Sequence, residues 1–421
     1  MPASRACSRL GRSLFLSLTL LAAGCAGPVA PDLVITNARV FTNDTARPWA
    51  EAIAIKGERV IAVGESAVLA ASAGPSTRVI DAGGRVLVPG FNDARVELPP
   101  GPPTPAALAA LDRTSIARGV TSLQVVAGGP MRALVAAAQQ ATRQARWRLI
   151  RSPMDGERPQ DEEPFLPPQP GVGLVANGVS WTLGTWSGRR LADLRRLDTM
   201  LTWAYGAEDP MIVALTGDLS EGGVGEVAGR DELRALLDVA HRTGVPEVWR
   251  RKRPRLDLYG RLPADPRAGT PGFPPIRDAV VGVMRELGGI GVVVTVIPWR
   301  PEDRHFVKDA ADLAEPFEYE QAGVAVALGS GGNRALIAAI ADVLDLGDRT
   351  RQATLVAATH GSAYAEKAQR DKGWLGPGTL ADIAILSDDI FTVPPDRLAG
   401  ITSVFTLVGG TIVYDPGVLT T

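Results

Sequence analysis

Two charged residues, Arg95 and Glu97, stand in a stretch otherwise suited to burial. They follow the apolar run Val86-Leu87-Val88 and a Pro89-Gly90 corner, within Phe91-Asn92-Asp93-Ala94-Arg95-Val96-Glu97-Leu98. Residues two apart on a strand point to the same face, so both side chains share one side. A guanidinium has no free lone pair and does not deprotonate in proteins, so Arg95 cannot ligate a metal. Two chemistries remain open to the pair. It can be a neutralised ion pair that fills a pocket, with a net worth near zero after desolvation. It can also be an anion site, because arginine presents a forked set of donors suited to a carboxylate.

Other reactive side chains are sparse. The three histidines, His241, His305 and His360, lie in separate regions and cannot be paired by spacing. Cys7 and Cys25 are the only cysteines, so the rest of the chain has neither a thiol nucleophile nor a disulfide framework. No Gly-x-Ser-x-Gly elbow stands in a strand–turn–helix context.

The elements that position Arg95 and Glu97 read as an α/β chain. At 421 residues, 45% hydrophobic, it can form one large barrel or two ordinary domains. Residues 33–41, 52–56, 60–63 and 79–81 read as short strands, with a hairpin turn at Gly57-Glu58-Arg59. Strand and helix then alternate, as in a parallel sheet. Strands are expected near 119–125, 147–150, 173–176, 211–215, 291–297 and 323–329, with helices over 106–117, 131–146 and 232–241. Pro-rich stretches at 99–105, 164–170 and 263–275 read as loops, and loops after barrel strands shape the active-site face. Net charge is −2, which points to no nucleic-acid partner. The basic run Trp249-Arg250-Arg251-Lys252-Arg253-Pro254-Arg255 is either a binding patch or a solvated element end.

The start has the layout of a targeting segment. Arg5, Arg9 and Arg12 precede an apolar run, Leu14 to Ala23, of about ten residues, too short to span a bilayer as a helix. Leu21-Ala22-Ala23-Gly24-Cys25 resembles a bacterial lipobox, in which the cysteine is lipidated and becomes the first mature residue. An ordinary secretory signal cut nearby is the alternative. With Ala26 after the cysteine, the resemblance implies a cell-envelope lipoprotein, held to the outer membrane through Cys25 and a tether over 26–31.

The segment from Arg85 to Leu98 resembles the first barrel strand of the amidohydrolase superfamily. At the other end, Gly376-Pro377-Gly378-Thr379-Leu380-Ala381-Asp382-Ile383-Ala384 and Val404 to Tyr414 resemble that family's closing strands, and within it the N-substituted formamide deformylase branch is most similar. The resemblance implies a (β/α)8 TIM-like barrel, regular or distorted, over 90–379. It also implies a composite β-sandwich of 32–89 with 380–421, after a signal peptide over 1–25.

In that family histidines, a lysine-derived or acidic ligand and an aspartate hold one or two metals, which lower the pKa of a bound water. Matched residue by residue, the two first-strand histidines are Arg95 and Glu97. The lysine is Gly173, the fourth-strand aspartate is Asn177, a later histidine is Leu258 and the last-strand aspartate is Gly331. A further histidine strand is expected, shortened, around 244–248. His360 matches a helix start, and Ser330 and Asp93 are candidates for metal-free hydrolysis by position alone. Loss of every ligand implies no metal cofactor and a pseudoenzyme with a binding or scaffold role. The alternative is a hydrolase acting on non-peptide carbon–nitrogen bonds through a non-standard site. A small-molecule ligand would meet Arg95, Glu97, Trp299, Arg300 and Asn333, with Trp181 and Trp186 also near the mouth.

Replacing Cys25 with serine is expected to abolish acyl labelling and release the protein from membranes. An uncleaved N-terminus with unchanged membrane attachment in that variant would contradict the lipidation reading.

Overall fold

The computed structural model describes residues 30–98, 101, 103–128, 131–152, 173–182, 191–206, 212–217, 230–259, 276–298, 320, 322–332, 334–345 and 350–420. Eight parallel strands run side by side in chain order: β8 (Phe91–Glu97), β9 (Val120–Gly128), β10 (Arg146–Ser152), β11 (Leu174–Thr182), β12 (Ile212–Gly217), β13 (Arg255–Tyr259), β14 (Val293–Ile297) and β15 (Ala325–Leu328). Beyond β15 the chain returns to β8. Gly331 N–H donates to Arg95 O at 2.9 Å, and Glu97 N–H reaches Gly331 O at 3.4 Å. The first and last strands are therefore neighbours, an arrangement compatible with a TIM-like barrel.

Two further sheets lie in the flanking segments. One joins β5 (Arg59–Gly64), β4 (Ala52–Lys56), β1 (Leu33–Thr36) and β6 (Arg78–Asp81). The other orders β18 (Thr411–Tyr414), β17 (Ser403–Val408), β16 (Ile383–Leu386), β7 (Val86–Pro89), β2 (Arg39–Phe41) and β3 (Trp49–Ala50). N- and C-terminal strands thus share one sheet, with Ile383 opposite Pro89 and Ile385 opposite Leu87. Ile35, Ile53, Ile55 and Ile80 of the first sheet pack with Leu87, Ile383, Phe405 and Leu407 of the second in a common core.

Local chemistry explains the element boundaries. The helix Pro105–Ile116 starts with Pro105 in its first turn and Thr104 accepting from Ala107 N–H, the arrangement that satisfies an orphan donor at a helix start. The helix expected over 131–146 ends at Gln140. Asp112 takes the N–H groups of Gln144 and Ala145 and the indole N–H of Trp147, which holds a turn there and frees Arg146 to begin β10. The shortened strand expected around 244–248 is instead the helix Pro246–Lys252. Pro246 lies in its first turn, where a fixed φ favours the helix and no N–H is missed.

The basic run is an element end. Arg250 bonds Gly289 O and Glu247, Arg253 stacks 3.9 Å over Tyr364 and donates to its carbonyl, and Arg255 is buried.

The helices between these strands bury one face of the array. Leu123, Val125, Leu149, Leu174, Leu256, Val294 and Val326 of the strands join Leu134, Leu197, Leu236, Leu287 and Ile340 of the helices in one apolar core. Asp382 fastens the flanking sheets to this strand array. It accepts from Arg146 Nε at 2.8 Å, from Arg146 Nη2 at 3.1 Å and from Gly409 N–H at 2.7 Å, while its carbonyl takes Gly90 N–H. Gly119 permits the close approach, since a Cβ there would lie 2.7 Å from the Ala384 Cβ.

Asp382→Ala is expected to lower stability by about 2–3 kcal/mol, because it leaves Arg146 half-buried without its partner. The denaturant midpoint measures this, and an unchanged midpoint would refute the fastening role.

Candidate functional site

The inside of the strand array is polar. Arg95 and Glu97 do pair, with Nη2 at 2.6 Å and Nε at 3.1 Å from Glu97 Oε1. Arg95 Nη1 also donates to Asp257 Oδ2 at 2.6 Å and to Ser180 Oγ at 3.0 Å. Asp257 in turn takes Arg255 from its own strand, at 3.1–3.3 Å. The side chains of Asp257 and Arg255 are 0% exposed and that of Arg95 2%, whereas Glu97 keeps 42%. All three nitrogens of the Arg95 guanidinium are engaged by the chain itself. Of the two readings left open by the sequence, this geometry favours the filled pocket.

The polar chain continues toward the end where the strands begin. Arg255 Nη1 donates to Gln124 Oε1, Gln124 Nε2 to Asn92 Oδ1, and Asn92 Nδ2 to Glu366 Oε1. Glu366 also receives Arg148 Nε at 2.9 Å and Lys372 Nζ at 2.6 Å, and Lys372 reaches Ser122 Oγ. Asn92, Ser122 and Arg148 stand near the starts of β8, β9 and β10, so the segment Ser362–Lys372 plugs that end. A line of hydrogen bonds and ion pairs thus runs from Lys372 to Glu97.

Electrostatics follows from this placement. Burial alone would raise Asp257, but the guanidiniums of Arg255 and Arg95 outweigh it and hold the carboxyl below its ordinary value. Glu366 behaves alike: Lys372 and Arg148 overcome burial and bring it to about 2. Asp93 is the opposite case. Burial pushes it up to about 6, although it accepts the N–H of Ser330 at 2.8 Å and of Arg95 at 3.3 Å. The two candidates for metal-free hydrolysis therefore meet, with the N–H and the side chain of Ser330 both hydrogen-bonded to the buried Asp93 carboxylate between β8 and the segment after β15.

The remaining expected positions divide. Asn177 is inside, its Oδ1 accepting from Arg148. Gly173 precedes β11 with φ +58°, and its carbonyl takes Trp147 N–H at 2.6 Å. It therefore lies at the start of the strand, away from Arg95. On β13 the residue that joins Arg95 is Asp257. Leu258, the expected later-histidine position, is the next residue of β13, and its side chain lies outside the described residues. Gly331, with φ +74°, contributes only backbone beside β8.

His241 is exposed in the last turn of the helix Arg230–Thr243. His360 is not at a helix start: it lies in a π-helical turn, Ala357–Gly361, inside a longer helical run, and burial lowers its pKa. Trp186, Trp299, Arg300, Asn333, His305, Cys7 and Cys25 lie outside the described residues, as does the side chain of Trp181. Asp257, Arg255, Gln124 and Glu366 were not singled out from the sequence. The Arg-x-Asp alternation on a short strand was the one available signal.

Comparison with known proteins agrees with this architecture. Residues 306–414 match the model of the amidohydrolase family. Over 67 residues the chain is 39% identical to N-substituted formamide deformylase of Arthrobacter pascens, and over 73 residues 40% identical to protein LONG AFTER FAR-RED 3 of Arabidopsis thaliana. Those matches span 16% and 17% of this chain and 12% of each relative's length. Among solved structures, a metal-dependent hydrolase from Pyrococcus furiosus has a TM-score of 0.59 at 13% identity, covering 86% of this chain and all 100% of its own. An amidohydrolase from Thermotoga maritima has a TM-score of 0.53 at 15% identity, covering 91% and 100%. Residues 306–414 are thus similar to the amidohydrolase family, and the chain shares the α/β fold of these structures.

Among the described residues, the side chains around Arg95 do not fit a divalent metal. Asp257 and Glu97 are both committed to a permanent cation, and Gly331 offers no side chain. Among the described residues no three His, Cys, Asp or Glu are placed to hold an ion.

Asp93 gives a pH test. Its folded pKa is raised above the unfolded value of 3.8, so the folded state binds the proton more tightly and stability is lost as pH rises toward 6. Asp93→Asn is expected to gain on the parent above pH 6, by about 2–3 kcal/mol, with the difference vanishing near pH 4. Urea melts across that range would refute this if the difference stayed constant.

Proposed function

We propose that this chain is a cell-envelope lipoprotein with an amidohydrolase-like (β/α)8 barrel that has lost metal-dependent hydrolysis. Its role is then binding or scaffolding. The observation that carries the reading is the Arg95 guanidinium, closed between Asp257 and Glu97 in the position that matches a ligand histidine. A catalytic zinc takes three protein ligands and keeps an open position for water. Here a tethered cation already takes up both carboxylates. The N-substituted formamide deformylase relationship, and the composite sandwich formed by the flanking segments, belong to this same reading. Attachment would come from a lipid on Cys25, and no described helix is long and apolar enough to cross a membrane.

Elemental analysis of protein purified without chelator tests the proposal. Less than stoichiometric Zn, Mn or Fe is expected, together with no turnover of amides, formamides, lactones or cyclic imides. Arg95→His/Glu97→His is expected to remain inactive with added Zn²⁺ or Mn²⁺, because Asp257 would then face Arg255 alone and Gly331 would still supply no base. Metal-dependent turnover well above the parent in that variant would overturn the reading.

A further inference from the structure

Arg95 does more than remove a ligand. Its guanidinium donates to acceptors on three strands: Glu97 of β8, Ser180 of β11 and Asp257 of β13. One edge, Nε and Nη2, faces Glu97, and Nη1 lies between Asp257 and Ser180. Asp257 cannot be neutralised by Arg255 alone at no cost, since its Oδ2 lies 2.6 Å from Arg95 and 3.3 Å from Arg255. Shortening residue 95 would leave a fully buried carboxylate oxygen, a hydroxyl and Glu97 facing a void of one guanidinium. Glu97 is partly exposed and so marks the side on which that void meets solvent.

We infer that the barrel centre is a guanidinium-class cation site that the chain fills with its own Arg95. The array of acceptors is a recognition site and the side chain is its tethered occupant. Planar, forked donors suit it better than a point charge, because Glu97 Oε1, Asp257 Oδ2 and Ser180 Oγ are met by three separate nitrogens of one group. The inference rests on the metal-free reading of the barrel. Wild-type metal content decides that reading, and the behaviour of the variants below decides this one.

The test uses the full chain. Arg95→Ala is expected to melt well below the parent. Ethylguanidinium at on the order of 10 mM should raise its Tm by about 3 °C or more, as a ligand of the folded state does. The parent, whose site is filled, should show no rise, and urea, planar but uncharged, should not substitute. Arg95→Ala/Asp257→Asn, which lacks the partnering carboxylate, should lose the response. Should Arg95→Ala not accumulate folded, its recovery on dilution from urea should improve with ethylguanidinium. A second pair, Arg95→Lys and Arg95→Met, separates charge from volume, and the lysine variant should be the more stable. The inference is overturned by a parental Tm in Arg95→Ala, by an equal response in the parent, or by Arg95→Met matching Arg95→Lys. Stabilisation by micromolar Zn²⁺ but not by ethylguanidinium would also overturn it, because the acceptors would then be arranged for a metal.

Discussion

Asp257, a carboxylate with no exposure held between two guanidiniums, is the constraint on which the polar face of this strand array depends. Removing three charges from water is expensive, and their mutual attraction repays little more than that cost. The cluster is therefore a weak source of net stability. Its members nonetheless constrain one another, because deleting any one leaves a buried charge without its partner. Asp257 requires Arg95 and Arg255, Arg255 requires Gln124, and Gln124 passes the requirement through Asn92 to Glu366. Side chains from β8, β9 and β13 and from the plug are fixed as one set.

The stabilising free energy lies elsewhere. TIM-barrel interiors are ordinarily packed with layers of branched apolar residues, and here much of that volume is ionic or amide. The apolar burial is displaced to the layer between strands and helices, where Leu149, Leu256 and Val294 meet Leu236, Leu287 and Ile340. This division separates what sets the fold from what fills its polar face. The outer core sets the architecture at roughly 25 cal/mol per Å² of apolar surface buried, and it is indifferent to whether the inner face holds a metal or an arginine. A fold is not evidence of an activity, and in this chain the two depend on different faces of the same strands.

That division also explains what could be read in the sequence. The outer face repeats apolar residues along each strand, so the strands near 119–125, 147–150, 211–215 and 291–297 were visible, as was the Arg95–Glu97 pair, because charge in an apolar strand stands out. The β13 contribution was harder to see. Arg255, Leu256 and Asp257 sit at the end of a basic run, and nothing local distinguishes Arg255, which is fully buried, from Arg251, which is exposed. Helix ends are hard to read where a distant carboxylate holds the turn that follows: Asp112 binds the N–H of Gln144, 32 residues away, just past the helix end at Gln140. Glu366 and Lys372 are ordinary surface-type residues by composition. Only the return of the chain across the open end of the barrel makes them internal.

The seam between β8 and the segment after β15 shows that the change in the site extends to the backbone. Gly331 N–H is bonded to Arg95 O, Gly331 has φ +74°, and a Cβ on Gly332 would lie 2.3 Å from Glu97 O. Two successive left-handed glycines are thus pressed against the strand that carries Arg95. An aspartate at 331 would face the left-handed penalty that glycine avoids. Any side chain at 332 would drive the seam apart at the point where Glu97 N–H reaches Gly331 O. The close backbone contact and the inward guanidinium therefore support each other. Arg95 brings its own cation to β8, and the glycine pair after β15, having no side chains, approaches β8 closely enough to exchange hydrogen bonds with it directly.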